Sequence, residues 1–410
     1  MHRPSLGPSA PQVGVIALVP ENWDSIWMPR HQVLTRLARY FDVVWINPAR
    51  GWREYWHLKG VNHLQRTEFR EVLPGFTVMT PGRMLARFHQ PAWLRRATLA
   101  RTLKDARAYL ARRKTKRLAL YLWRPEFAEA LQLIPHDASY YHIDDEYSFA
   151  DVARPNDPQE IQLLRSVHQV IVHSQGLLKK KGSINPHTAL IPNGVDYRAF
   201  STKQAEPPDL AAVPAPRIGY AGLIKRQLDL GLLVRLARAQ PGWSFVLVGP
   251  VGNVSGKEAA LAELRALPNV HFLGYKPVNQ LAAYVQYMDV CLMCYEVNDY
   301  TNCIYPLKLH EYLAAGRPSV ASPIASVLEH SDIITLARSD EEWLAGIARA
   351  LAQSSSFENE RRRRRASSYD WDILVEKLAQ IFCERLNIRR PVDATLTSLV
   401  AHDRSDFPRE

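Results

Sequence analysis

The chain has 410 residues, 47% of them hydrophobic, four cysteines and a formal net charge of +11. That length is too much for one core of usual size and suits two. Four unevenly placed cysteines exclude a disulfide framework and point to a reducing cytoplasm, and no run of 18 apolar residues exists to form a membrane-spanning helix.

In chain order, residues 1–12 lack an apolar stretch and read as a disordered leader rather than a signal peptide. "VGVIALVP" predicts a buried strand, "MPRHQVLTRLARY" an amphipathic helix carrying Arg30 and His31, and "DVVWINP" the next strand. Residues 83–117 then hold twelve Lys/Arg against one acid, Asp105, which equals the whole charge excess of the chain. Among these cations Leu94, Leu99, Leu103, Tyr109 and Leu110 recur at rough helical spacing. Such a segment suits an anionic membrane surface, met through Arg95, Arg96, Arg112 and Arg113. The alternative is a solvated helix rich in arginine.

"RLALYLW", "ASYYHID", "QVIVHS" and "TALIPNG" follow as strands. Continuous apolar strands separated by helices predict a parallel sheet covered on both faces, closing a first Rossmann-like domain over 13–199. "YYHIDDEY" places His142, Asp144 and Asp145 at the end of one such strand. A histidine beside carboxylates can orient or deprotonate a hydroxyl. An aspartate capping the next helix accounts for the same residues.

Proline-rich residues 200–216 read as a linker. A second βα series over 217–369 runs through "RIGYAG", "SFVLVGP", "VHFLGY", "DVCLMCY" and "PSVASP", another doubly wound sheet. Cys291 and Cys294 form a CxxC, read as buried strand rather than metal site because no second ligand pair follows. In "GYAGLIKRQLDL" the strand ends at Gly222, with Lys225 and Arg226 in the following loop, where cations can clamp a diphosphate.

"YPLKLHEYLAAGRPSV", 305–320, predicts a short helix with Pro306 at its start and Gly316 at its C′ position. The free N–H groups of Leu307 and Lys308, with the Lys308 side chain, make an anion site. Glu311, one turn on, suits a ribose diol. The simpler reading is an i,i+3 ion pair. Arg361 to Arg365 read as a solvated helix face. A last helix over 370–388 is expected to cross back to the first domain, and 389–410 to be a disordered tail.

"IPNGVD", "GYAGLIK", "VGP", "VHFLGY" and "PLKLHEYLAAGRPSV", in that order and spacing, resemble the family-four glycosyltransferases of the GT-B fold, closest to the exopolysaccharide and teichuronic-acid branch. The likeness covers roughly 165–320 and extends more loosely to "WDSIWMPRHQVLTRLA" and "HIDDEY". It implies two Rossmann-like domains facing a cleft, with the acceptor on the first and a nucleotide-sugar donor on the second. By the family's pattern Glu311 bonds the ribose. Lys225 or Arg226, with the amides of Leu307 and Lys308, faces the diphosphate. The backbone at Tyr275 and Lys276 borders the base. No metal or other cofactor is implied.

The resemblance implies sugar transfer with retention, from a UDP-sugar or GDP-mannose to a hydroxyl of a polyprenyl-linked glycan. The place would be the inner, cytoplasmic face of the cell membrane. One departure stands at Cys303, where many members carry a second glutamate eight residues before the first; Glu296 and Asp299 lie near enough in sequence to substitute. A nucleotide-sugar epimerase of the same fold and a basic nucleic-acid-binding protein are the alternatives. The latter leaves Glu311 beside Lys308 unexplained, and no nucleic acid is expected as a partner.

Overall fold

The computed structural model describes residues 7–51, 54, 66–87, 91–146, 157–353 and 355–389. Half of the expected leader, 1–6, and all but the first residue of the expected tail fall outside them; the other half of the leader is not free, since the N–H groups of Ser9 and Ala10 bond the Arg39 and Tyr40 carbonyls and Ala10 is buried. The chain divides into two units. The first comprises Met1–Val172, Lys181–Ile191 and Val375–Glu410, and the second His173–Lys180 and Pro192–Leu374.

The first unit is built on eight strands: β1 (Val13–Leu18), β2 (Asp42–Ile46), β3 (Glu68–Leu73), β4 (Phe76–Thr80), β5 (Arg117–Leu122), β6 (Ala138–Ile143), β7 (Gln169–Val172) and β8 (Thr188–Leu190). Their order is β3-β4-β2-β1-β5-β6-β7-β8, parallel throughout except for the β3–β4 hairpin at one edge. β1, β2 and β6 are buried at every position, the pattern of a sheet covered on both faces. The hairpin was not foreseen. β3 is mostly exposed, and its turn rests on Gly75 at φ +76, where an added Cβ would meet the Ala38 carbonyl at 2.7 Å.

Helices α1 (Pro29–Leu37) and α2 (Ala92–Arg112) flank this sheet's strands in sequence. α2 buries Thr102, Leu103, Ala106 and Leu110. The Leu110 side chain occupies the space a Cβ on Gly14 would need, so the helix lies close against β1. The last helix, α3 (Trp371–Arg385), ends in this unit, with Phe382 stacked on Tyr140 at 3.6 Å between ring centres.

The second unit holds β9 (Arg217–Ala221), β10 (Ser244–Val248), β11 (Val270–Gly274), β12 (Val290–Met293), β13 (Ser319–Ala321) and β14 (Thr335–Leu336). The order β11-β10-β9-β12-β13-β14 is parallel at every pairing. The chain reverses its direction of travel across the sheet between β9 and β12. Open α/β sheets bind ligands at such a switch point, beyond the carboxyl ends of the strands. In the first sheet the reversal lies between β1 and β5.

Residues 200–216 are not a free linker. Leu210 and Val213 are buried in the second unit's core, and the Arg217 guanidinium ties the segment down through the Val213 carbonyl and Glu206. Prolines here shape a packed loop rather than extend a spacer. Cys291 and Cys294 are buried, and burial pushes both thiols up to about 12.

Candidate functional site

The second unit's site grows from two loops and one helix. β9 runs out at Ala221, whose N–H donates to the Tyr312 hydroxyl at 3.0 Å. Tyr312 belongs to the helix α4 (Leu307–Ala314), inserted here between β12 and β13 and pinned by this bond to β9. The helix starts after Pro306 and stops as its sequence dictates. Gly316 adopts φ +73, its N–H bonds the Leu313 carbonyl, and that of Arg317 bonds the Tyr312 carbonyl, the paired bonds of a Schellman stop. Leu309, His310, Tyr312 and Leu313 are buried, so α4 turns Leu307, Lys308 and Glu311 to its half-buried side.

Gly222, at φ +140, has no Cβ to fill the space beside it. A Cβ there would lie 2.5 Å from Lys308 Nζ, and one on Gly249 would lie 2.1 Å from the Gly222 carbonyl oxygen. Two glycines thus let the loops after β9 and β10 close on each other and leave room for the lysine. The Lys308 ammonium stands over the Tyr220 ring, 4.8 Å from its centre.

The i,i+3 pair of the simpler reading is absent: among the described residues Lys308 and Glu311 form no ion pair or hydrogen bond with each other. Burial pushes Glu311 up to about 7, only partly opposed by Lys308, and burial likewise lowers the lysine's pKa. A half-buried cation and acid that feel each other's charge but share no direct bond keep their donors and acceptors for something else.

Loop residues 222–226 are held by the next βα loop through the Ile224–Val251 bridge and the Arg226 N–H to Asn253 carbonyl bond. This fixes the backbone that carries Lys225 and Arg226. Tyr275, just after β11, is exposed, while Lys276 is engaged by Asp209 at 2.7 Å and stands over Tyr284. Lys276 therefore offers its backbone rather than its charge.

Cys303, at the position where the resemblance places a second glutamate, is buried and its carbonyl accepts from Ser174 Oγ at 2.5 Å. Glu296 is paired with Lys257 at 2.6 Å, and Asp299 is exposed. Asn298 and Thr301 bond each other reciprocally at 2.9 Å and so shape this loop.

In the first unit, the loops after β1, β5 and β6 gather a charged cluster that sequence reading caught only in part. Arg30, 2% exposed, donates to both oxygens of Glu21 at 2.8 Å and to Asp144 at 2.5 Å. Burial and the neighbouring Asp144 charge raise the Glu21 pKa against the pull of Arg30. His142 is buried, stacked on Trp123 at 4.1 Å, with Nδ1 bonded to the Tyr121 hydroxyl at 2.6 Å. Asp145 accepts from the Glu146 N–H. The three predicted residues therefore share the end of β6, but Glu21 and Arg30, more than a hundred residues upstream, complete the cluster. No periodicity links them.

The four arginines expected on a membrane differ in what they meet within the unit. Arg113 is bound by Asp42 at 2.9 Å and by Glu71, and Arg95 by Glu129 at 2.7 Å. They stand 18 residues, five helical turns, apart, so both meet the body of the unit. Arg112 and Arg96 are exposed, Arg96 reaching Gln132 at 3.4 Å.

Residues 215–353 match the family Glycosyl transferases group 1. A Bacillus subtilis (strain 168) protein named as a teichuronic acid biosynthesis glycosyltransferase, TuaH, is 29% identical over 234 residues, 53% of this chain. The chain spans 57% of the length of that relative. Among solved structures, E. coli trehalose-6-phosphate bound with UDP-2-fluoro glucose superposes with a TM-score of 0.65 at 12% identity, covering 92% of this chain and 99% of that one. Anabaena HepE in complex with UDP-glucose gives 0.63 at 14%, covering 91% and 99%. No helix among the described residues is long and apolar enough to cross a membrane. The two parallel α/β units thus have the fold of these solved structures, and the second unit carries the segment, 215–353, that matches the group-1 glycosyl transferases and is similar to the teichuronic-acid relative.

Proposed function

We propose that the chain transfers a sugar from a nucleoside diphosphate donor, UDP favoured and GDP-mannose the second choice, to a hydroxyl of a polyprenyl-linked glycan. The place is a surface-polysaccharide pathway at the anionic inner face of the cell membrane. The observation that carries the donor half is the pairing of Lys308 and Glu311 on one side of α4, beside Gly222 at the switch point, without a direct bond between them. Lys308 and the first amides of the helix meet the diphosphate, and the Glu311 carboxylate accepts the ribose hydroxyls. Lys225 and Arg226 add charge from the rigid loop.

As the bond from the anomeric carbon to the diphosphate breaks, negative charge grows on the leaving oxygen, where cation and helix end stabilise it. No metal is required for that. His142, Asp144 and Asp145 belong to the acceptor half. With Asp144 held by Arg30 and His142 by Tyr121, the geometry favours orienting a hydroxyl over removing its proton. Retention follows the family pattern. UDP-sugar complexes of the structural neighbours and the teichuronic-acid relative support the substrate class.

The test is melting of the full chain with UDP, GDP and ADP, followed by a nucleotide-sugar screen for diphosphate release. A rise in Tm with UDP or GDP is expected. Absence of any shift with every nucleoside diphosphate overturns the proposal.

A further inference from the structure

The segment Arg83–Leu85 forms one turn of 3-10 helix that packs against α2. Leu85 is buried, which anchors the turn and throws Met84 outward, 85% exposed. Trp93, in the first turn of α2, is 69% exposed. These are large apolar side chains left in water next to the most basic stretch of the chain. Arg83 and Arg87 flank Met84 and are exposed. On α2, Lys104 lies eleven residues, about three turns, beyond Trp93 and so shares its outer face, with Arg107 beside it. Both are exposed.

None of these four cations forms an ion pair among the described residues, whereas the one acid between positions 83 and 117, Asp105, is taken by Arg101 at 3.0 Å. The result is two exposed apolar side chains beside four exposed cations that no carboxylate pairs among the described residues, Asp137 feeling the Arg107 charge only at longer range.

We infer that this face, Met84 and Trp93 with Arg83, Arg87, Lys104 and Arg107, docks the protein on an anionic lipid surface. The inference rests on the lipid-linked acceptor proposed above and shifts the contact from the four-arginine set read from sequence, of which Arg95 and Arg113 are engaged by carboxylates of their own unit. Charge complementarity selects the occupant. Cations attract anionic headgroups over a Debye length, and an indole and a thioether then bury themselves at the headgroup boundary. Neither step alone holds a protein firmly.

The experiment is flotation of the full chain with vesicles of phosphatidylcholine containing about a third phosphatidylglycerol, and with phosphatidylcholine alone. Wild type is expected to float only with the anionic vesicles, less so as salt rises. Lys104→Gln with Arg107→Gln should weaken partitioning about fivefold per charge removed, and Met84→Ser with Trp93→Ser about tenfold or more. All four positions are exposed, so Tm and the UDP-induced shift stay as in wild type. That readout separates failure here from failure of the donor reading. The inference is overturned if wild type floats equally on neutral vesicles or on neither. It is also overturned if both variants float as wild type, or if the Met84/Trp93 variant converts a dimer to a monomer while flotation is unchanged.

Discussion

The Lys308 ammonium rests on the face of Tyr220, not on the carboxylate of Glu311 one turn away along its own helix. Tyr220 is itself fixed, its hydroxyl donating to the Leu223 carbonyl at 2.9 Å. An aromatic face attracts a cation without accepting its hydrogen bonds in the way a carboxylate does. The lysine is thereby positioned with its N–H donors outside any ion pair among the described residues, as the proposed diphosphate contact requires.

Removing the acid should separate nucleotide recognition from folding. Glu311→Ala is expected to abolish most of the UDP-induced rise in Tm while leaving the unliganded Tm equal to or above wild type, because burial disfavours the charged form there. A retained shift in the variant would place the ribose elsewhere.

The same residue gives a pH dependence of binding. With Glu311 held at about 7, the empty site is partly protonated at neutral pH. Two ribose donors favour the ionised form, so binding releases a proton below pH 7. Affinity should rise from pH 5 to 7 and level off above. Calorimetry in buffers of different ionisation enthalpy reads the proton directly, and Glu311→Gln should flatten the profile.

The two glycines at the switch point should differ in kind. Gly249→Ala drives a Cβ into a backbone carbonyl at 2.1 Å, which no rotamer relieves, and is expected to cost about 3 kcal/mol or more of stability. Gly222→Ala meets the end of a flexible lysine, so the lysine moves. The larger loss should appear in UDP affinity rather than in Tm. Equal effects of both variants on both readouts would refute this division.

Arginines adjacent in sequence should likewise part company. Arg113→Ala leaves the carboxylate of Asp42, only 5% exposed, without its cation and should cost about 2 kcal/mol or more. Arg112→Ala should fall within about 0.5 kcal/mol of wild type. Denaturation midpoints compare the two.

Buried histidines should make the protein sensitive to acid. His31 accepts from the Met28 N–H at Nδ1 and faces the Trp23 carbonyl at Nε2, a neutral tautomer, and burial lowers its pKa to about 4. Burial and Arg365 lower His330 to about 4 as well. Between pH 6.5 and 4 the unfolded chain binds protons that the native chain refuses, so stability falls as pH drops through that window and levels off below it. The denaturation midpoint should therefore be lower at pH 5 than at pH 7, and His31→Gln should shrink the difference. An unchanged difference would exonerate His31.

Much of the fold was legible because buried parallel strands announce themselves. The runs "VGVIALVP", "DVVWINP" and "SFVLVGP" are apolar at nearly every position, and the caps of α4 follow from Pro306 and Gly316. The hairpin β3–β4 escaped because β3, with Glu68, Arg70 and Glu71, lies at an exposed edge and carries no apolar run. The packed course of 200–216 escaped because proline content signals a break in regular structure, not whether Leu210 finds a core. In the first-unit cluster, His142 and Asp144 were visible as a strand end. Glu21 and Arg30 were not, since only sheet order brings the end of β1 near that of β6.

The sequence by itself determined two α/β units, the termini of the helix at 307–314, and the presence there of a lysine and a glutamate on one face. These are matters of period, cap and spacing along a single segment. Tertiary structure decided which charges are spent and which are kept. Arg113, Arg95, Lys276 and Glu296 meet partners from distant segments, whereas Lys308 meets an aromatic ring and Lys104 and Arg107 meet water. Whether a charge remains available depends on what the fold sets within about 4 Å of it, and that distance is not written along the chain.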